Sequence, residues 1–438
     1  MKWLIVFTFG ICLLLTFSAA AKPAVLNLSQ TSLDPNKVDS EFRISQTETP
    51  ESRRDHPRLA YNPDNDEYMV VWENLWPGGS RDVYARRLTG SGVLKSQFTV
   101  ATGAKTDNKN RFSPDIAYNA ASSEYLVVYM FDANGDSMQY EVWGRRVSWN
   151  GSWLGPEFQI FSWPNRGFYG PRVVFNSWRD EYMVVASALD TQTGKWNDVA
   201  GRRVMVDGST PHPGHSISAQ NQTLQPSLPD VAYNPQVDEY LVVWQQLYDG
   251  SDWDIHGARV GGSDYAVVNP PGVIMIDNAP VAQKSPAVSH NQKDRYMVVW
   301  EHDESKWIYG RQLNNTGGTV GDKYPISSTS LNISRKFPSV VLLNNGARST
   351  VWWDSNGQKI ILNETIWGGD IALDWFAEIA SDTSQIPPAL EAGNAGNKDY
   401  LVVYGRNEGT GVHLYGKIVS TGGIYFDFPG KYLPVIIR

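Results

Sequence analysis

Two short patterns return along the chain. Apolar and polar residues alternate through Pro57-Arg58-Leu59-Ala60-Tyr61-Asn62, and a denser apolar run follows in Glu67-Tyr68-Met69-Val70-Val71-Trp72. The pair comes back at Pro114 with Tyr125, Pro171 with Tyr182, Pro229 with Tyr240 and Pro286 with Tyr296, and in weaker form at Pro338 with Ser349 and Pro388 with Tyr400. These seven copies place the Tyr slot at intervals of 57, 57, 58, 56, 53 and 51 residues, a regularity that marks an internal repeat. A third segment follows a variable loop, as in Asp82-Val83-Tyr84-Ala85-Arg86-Arg87-Leu88, Glu141 to Val147 and Asp198 to Val204. A fourth is short, as in Phe98-Thr99-Val100, Phe158-Gln159-Ile160 and Tyr324-Pro325-Ile326. Period-two alternation, β-branched and aromatic enrichment, and Gly, Asn, Asp and Pro punctuation predict four strands per repeat.

A lone meander of about 50 residues cannot bury both of its faces, so neighbours must stack, and a closed ring is the stable arrangement. The fold class expected is all-β: a single seven-bladed β-propeller over residues 56–438, each blade a four-stranded antiparallel meander. Residues 22–55 form an N-terminal segment in which Glu41-Phe42-Arg43-Ile44-Ser45 has the fourth-strand pattern without a blade of its own. That strand can complete the last blade and close the ring; Tyr432-Leu433-Pro434-Val435-Ile436 competes for the same place. Ahead of it, Lys2, the apolar stretch Trp3 to Phe17 and Ser18-Ala19-Ala20-Ala21 read as a signal peptide over residues 1–21. The only cysteine, Cys12, lies inside it, so the exported chain holds together by packing and closure without disulfides. A secreted protein, extracellular or periplasmic, monomeric and without a membrane span after cleavage, is expected, and bacterial export suits it best.

Composition narrows the partners. Lys plus Arg number 38 against 46 Asp plus Glu, a formal charge of −8 that leaves no basic stripe for nucleic-acid phosphates. Charged residues are 19% and aromatics 12%, with 17 Trp, which excludes disorder and a long helical protein. The organisation resembles the secreted bacterial repeat proteins with YLVVW-type propeller blades, over about residues 41 to 438; the resemblance implies fold and leaves function open. The Gly-His to Trp-Asp pairing of WD40 blades and the repeated Ser-x-Asp-x-Gly-x-x-Trp box of sialidases are absent, and the chain is set apart from kelch repeats as well.

Strand direction places the loops leading into strand one and the loops between strands two and three on one rim, where propellers bind. Aromatic rings stack on sugar faces and polar groups hydrogen-bond hydroxyls, so Trp76, Arg111, Tyr140, Trp196, Trp253, His302 and Arg335 are the binding residues expected there. A polysaccharide or a cell-surface protein is the partner expected. Binding is favoured over the alternative, a polysaccharide-processing lyase or hydrolase, because no convergent, non-repeating set of His, Tyr, Arg or carboxylates stands out beyond His302 with Glu301 and Asp303. The recurring pairs Arg86-Arg87, Arg145-Arg146 and Arg202-Arg203 read as inter-blade ties, and Trp72, Trp244 and Trp300 as core. No cofactor or metal is expected: His212 and His215 lack companions. The string Asp132, Asn134, Asp136 fits calcium only in part and reads as an Asn-Gly turn. His256 and His290 replace repeat aromatics, which makes them places to look for a site.

Overall fold

Each proline-led segment becomes an innermost strand, and six of them carry the same irregularity. The residue before the proline takes a left-handed conformation, at His56, Ser113, Gly170, Leu228, Ser285 and Phe337, with φ between 49° and 58°. The strand register slips there, for example between Asp55 and Arg58 and between Ser227 and Asp230, which marks a β-bulge. The following proline supplies no N–H and disfavours the helical region at the residue before it, so the bulge settles where the proline is. Leu228 is 48% exposed at φ 50°, a conformation that costs a side chain ~1 to 2 kcal/mol. Leu228→Gly should therefore raise stability by roughly 0.5 to 1 kcal/mol; a lower melting temperature would refute the strain.

The bulge amides tie one repeat to the next. The residue five beyond the Tyr slot accepts the following repeat's bulge N–H: Glu73 from Ser113 at 3.1 Å, Ser187 from Leu228 at 3.0 Å, Gln245 from Ser285 at 3.0 Å and Glu301 from Phe337 at 2.8 Å. Met130 Sδ receives Gly170 N–H at 3.4 Å in the same slot. The arginine pairs link blades, as expected, and pair within their own repeats as well: Arg87 donates to Asn150 O at 2.8 Å and Arg259 to Thr316 O at 3.3 Å, both in the following repeat. The second member pairs within its own repeat, Arg87 with Glu67, Arg146 with Glu124, Arg203 with Glu181 and Arg259 with Glu239. The first reaches the outermost strand of the repeat before it at Arg86, which donates to Ile44 O, and at Arg202, which donates to Ile160 O, as Arg311 does to Ile276 O and Lys417 to Ile379 O, whereas Arg145 turns to Glu157 of its own repeat at 3.0 Å.

The computed structural model describes residues 39–46, 51–103, 109–135, 139–218, 225–268, 272–327, 333–368, 371–393, 399–420, 425–428 and 431–434. The expected signal peptide and Asp136 fall outside them. The described strands form a single all-β propeller of four-stranded antiparallel blades. Five four-stranded sheets stand separately, fewer than the seven expected, because one further sheet has eight strands. In it the order runs Ala389–Ala392, Asp399–Glu408, Gly411–Ser420, then Arg53–Asn62, Glu67–Leu75, Arg81–Thr89 and Leu94–Ala101. Its two halves meet through one parallel pair, Arg53 with Val412.

Phe42–Arg43 pairs antiparallel with Gly411–Ser420, Phe42 opposite Gly416, so the N-terminal strand completes the last repeat. Ile44 N–H donates to Leu414 O at 2.8 Å and Leu414 N–H to Ser45 Oγ at 3.0 Å. The rival segment instead folds on itself: Lys431–Pro434 pairs with Tyr425–Phe428 in a separate hairpin. A glycine column explains the fit. At Gly144, Gly257 and Gly416 an added Cβ would strike Ile160, Ile276 and Phe42 or Ile44, all from an outermost strand. The Tyr-slot residues and Trp72, Trp244 and Trp300 are buried between sheets, as expected.

Candidate functional site

The rim residues separate into two sets. Trp76 is 7% exposed, its Nε1 donating to Asp82 Oδ2 at 2.9 Å and its edge on Tyr84, so it is a packed residue and no exposed stacking ring. Arg111 is also buried, its guanidinium 4.6 Å from the Phe131 ring centre and 3.4 Å from Glu157. Arg335 is buried against Asp354 at 3.3 Å. His302 packs on Tyr309 with centroids 4.9 Å apart and its Nδ1 3.1 Å from Ser305 Oγ; burial and then Lys323 lower its pKa. Glu301 is engaged by the Phe337 amide. Trp253 is half-buried opposite Leu247. Apart from Trp253, these residues are spent on packing and pairing within the rim.

Tyr140 and Trp196 behave differently, because Phe112 and Tyr169, which share one slot two residues before their prolines, fill the spaces around them. Phe112 meets Tyr140 at 5.0 Å between centroids, Tyr140 meets Tyr169 at 5.1 Å, and Tyr169 meets Trp196 at 4.9 Å, each edge to face. All four rings are half-buried, and the Arg81 guanidinium lies 5.1 Å from the Phe112 centroid at one end. The result is a continuous ladder of rings across the second and third repeats, with Arg81 of the first at its end, on the rim expected from strand direction. Sequence reasoning found Tyr140 and Trp196 in loops but missed Phe112 and Tyr169, which sit inside strands.

The innermost strands enclose a central channel, whose rim-side mouth has a volume of about 390 Å³. The position just after each proline reads Arg58, Asp115, Arg172, Asp230, Ala287, Ser339 and Ala389. The charged half forms a ladder: Arg58 Nε stands 3.8 Å from Asp115 and Arg172 Nε 3.6 Å from Asp230. Asp115 and Asp230 also accept the amides of Val173 and Val288 of the next repeats at 2.8 Å, and burial raises both carboxyls despite the arginines. Burial and Arg172 bring Arg58 down to about 10. This set was legible as a break in a repeat column, had the column after the proline been read.

His290 and His302 do not converge with Arg335. Gln283 pairs with His302 and His290 with Tyr296, so the two histidines lie at opposite ends of one hairpin. His290 lines the far mouth of the channel, its Nδ1 accepting Gln292 N–H at 3.0 Å. His256 is buried and stacked on Trp244. His215 lies against Tyr265, and no group of three His, Cys, Asp or Glu able to hold a metal occurs among the described residues. Asp132 accepts Gly135 N–H at 2.8 Å, closing a turn.

No family model matches the chain, and no curated protein matches it. Among solved structures, the α-L-arabinofuranosidase of Fusarium graminearum in complex with arabinobiose is similar at a TM-score of 0.51 and 12% identity, over 88% of this chain and 98% of that one. The α-L-arabinanase of Penicillium chrysogenum complexed with arabinobiose gives 0.50 and 12%, over 87% and 98%. What they share with this chain is the propeller fold.

Proposed function

We propose that this chain is a secreted, monomeric carbohydrate-binding propeller of seven blades that holds a glycan along the ring ladder Phe112–Tyr140–Tyr169–Trp196. The ladder is the observation that carries the reading. Successive half-buried rings, each edge to face with the next at about 5 Å, give an extended saccharide a continuous apolar surface to lie on, and Arg81 adds donors at the end. The arabinobiose held by the two fungal propellers supports a saccharide ligand. The seven-blade count is supported by the channel walls: innermost strands from all seven repeats line it, including Arg53–Asn62 and Ala389–Ala392, which share the eight-stranded sheet. That sheet is then two blades touching at one residue pair.

Tyr169→Ala and Trp196→Ala should each weaken retention on polysaccharide by ~1 to 3 kcal/mol, a range borrowed from ring stacking on nucleobases. Affinity electrophoresis against neutral and acidic glycans, run with melting curves, measures this. No retention of the unmodified protein on any glycan would sink the reading and leave a surface protein as partner. Polysaccharide processing is the second reading, favoured by the Arg58–Asp115 and Arg172–Asp230 ladder beside the ring ladder. New reducing or unsaturated ends from a retained glycan would establish it.

A further inference from the structure

The far mouth of the channel carries an unmatched acid. There the wall encloses about 590 Å³, lined by Tyr61, Tyr118, Phe175 and Tyr233 from four successive repeats, with His290, Glu391 and aliphatic and small polar side chains. No Lys or Arg lines it. Burial lowers the pKa of His290, which stays neutral at pH 7. Toward the rim the two channel arginines are matched one to one by Asp115 and Asp230. Glu391 opens on both mouths, and among the described residues no cation or hydrogen-bond donor sits on its carboxyl.

An aromatic-lined cavity with one unmatched acid and no protein cation is complementary to a positive charge, since ring faces attract cations and a carboxylate neutralises them. We infer that this mouth binds an organic ammonium ion, its charge set against Glu391 and among the rings of Tyr61, Tyr118, Phe175 and Tyr233. The site is separate from the rim ladder and stands or falls independently of the glycan reading.

With no cation of the protein beside it, the Glu391 carboxyl favours its protonated form at neutral pH. It is only partly covered, yet the dense wall, and then the nearby Asp115, push its carboxyl up to about 8. Tyr68 is the other titratable neighbour coupled to it. An arriving ammonium favours the carboxylate, so binding at pH 7 releases a proton from Glu391 to solvent.

Titration calorimetry with choline chloride, in two buffers of different ionisation enthalpy, tests this against the uncharged isostere 3,3-dimethyl-1-butanol. Choline should bind at least tenfold tighter than the isostere and release close to one proton at pH 7. Its affinity should climb about tenfold per pH unit until pH 8, then level. Glu391→Gln should lose most of that advantage and the proton release. The variant's melting curve checks its fold: an acid whose pKa is raised on folding adds stability at low pH that is lost as pH rises from ~4.3 to 8, so the glutamine variant should lack that slope. Equal binding of choline and isostere, no choline binding at tens of millimolar, binding without proton release, or unchanged affinity in a folded Gln variant would each overturn the inference. The first three are read on the unmodified protein and need no variant.

Discussion

Deleting residues 41–46 is expected to cost on the order of 5 kcal/mol or more of folding stability, the largest loss available from so short a segment. Ile44 is fully buried and Phe42 fills the space that Gly416 leaves open, so their removal opens a cavity at the seam of the ring. The same deletion strips the Ile44 and Leu414 backbone bonds and leaves Arg86 without the Ile44 carbonyl. Each buried bond is worth ~1 kcal/mol, and burying an isoleucine or phenylalanine contributes more. Ile44→Ala isolates the packing share at ~2 to 5 kcal/mol. Chemical denaturation of both variants measures the effect; a deletion that melts with the full chain would mean that the last repeat does without its outermost strand.

Trp76→Ala should lose ~3 to 5 kcal/mol of stability while the folded fraction keeps its retention on glycan. The indole is buried, spends its N–H on Asp82 and packs on Tyr84, so its loss opens a cavity and removes a hydrogen bond from a buried carboxylate. Trp196 and Tyr169 should behave in the opposite way, with binding lost and stability little changed. A Trp76 variant that melted normally yet released glycan would return that residue to the binding surface and weaken the ladder as the site.

The propeller was readable from the chain because its determinants are local and repeated. Period-two alternation, the proline and the Tyr slot recur at about one blade length, and a feature present in every copy needs no knowledge of its neighbours. The glycine column and the arginine pairs were visible too, though not their partners. Which strand completes the last repeat could not be read, since Glu41–Ser45 and Tyr432–Ile436 carry the same pattern. Only long-range pairing separates them, through Phe42 on Gly416 and Arg86 on Ile44.

The candidate sites followed the same division. By itself the sequence determined the strands, their order, the rim on which loops gather, and the breaks in repeat columns at Arg58, Asp115, Arg172, Asp230 and Glu391. Tertiary structure decided which side chains those places expose. Trp76 follows its strand and turns inward to Asp82, six residues on, whereas Trp196 stands within the strand Lys195–Met205 and joins Tyr169, 27 residues before it in the innermost strand of the same repeat. Glu391 is an ordinary strand glutamate until the innermost strands close around it. Its unmatched carboxyl then belongs to the channel, a property no single repeat possesses.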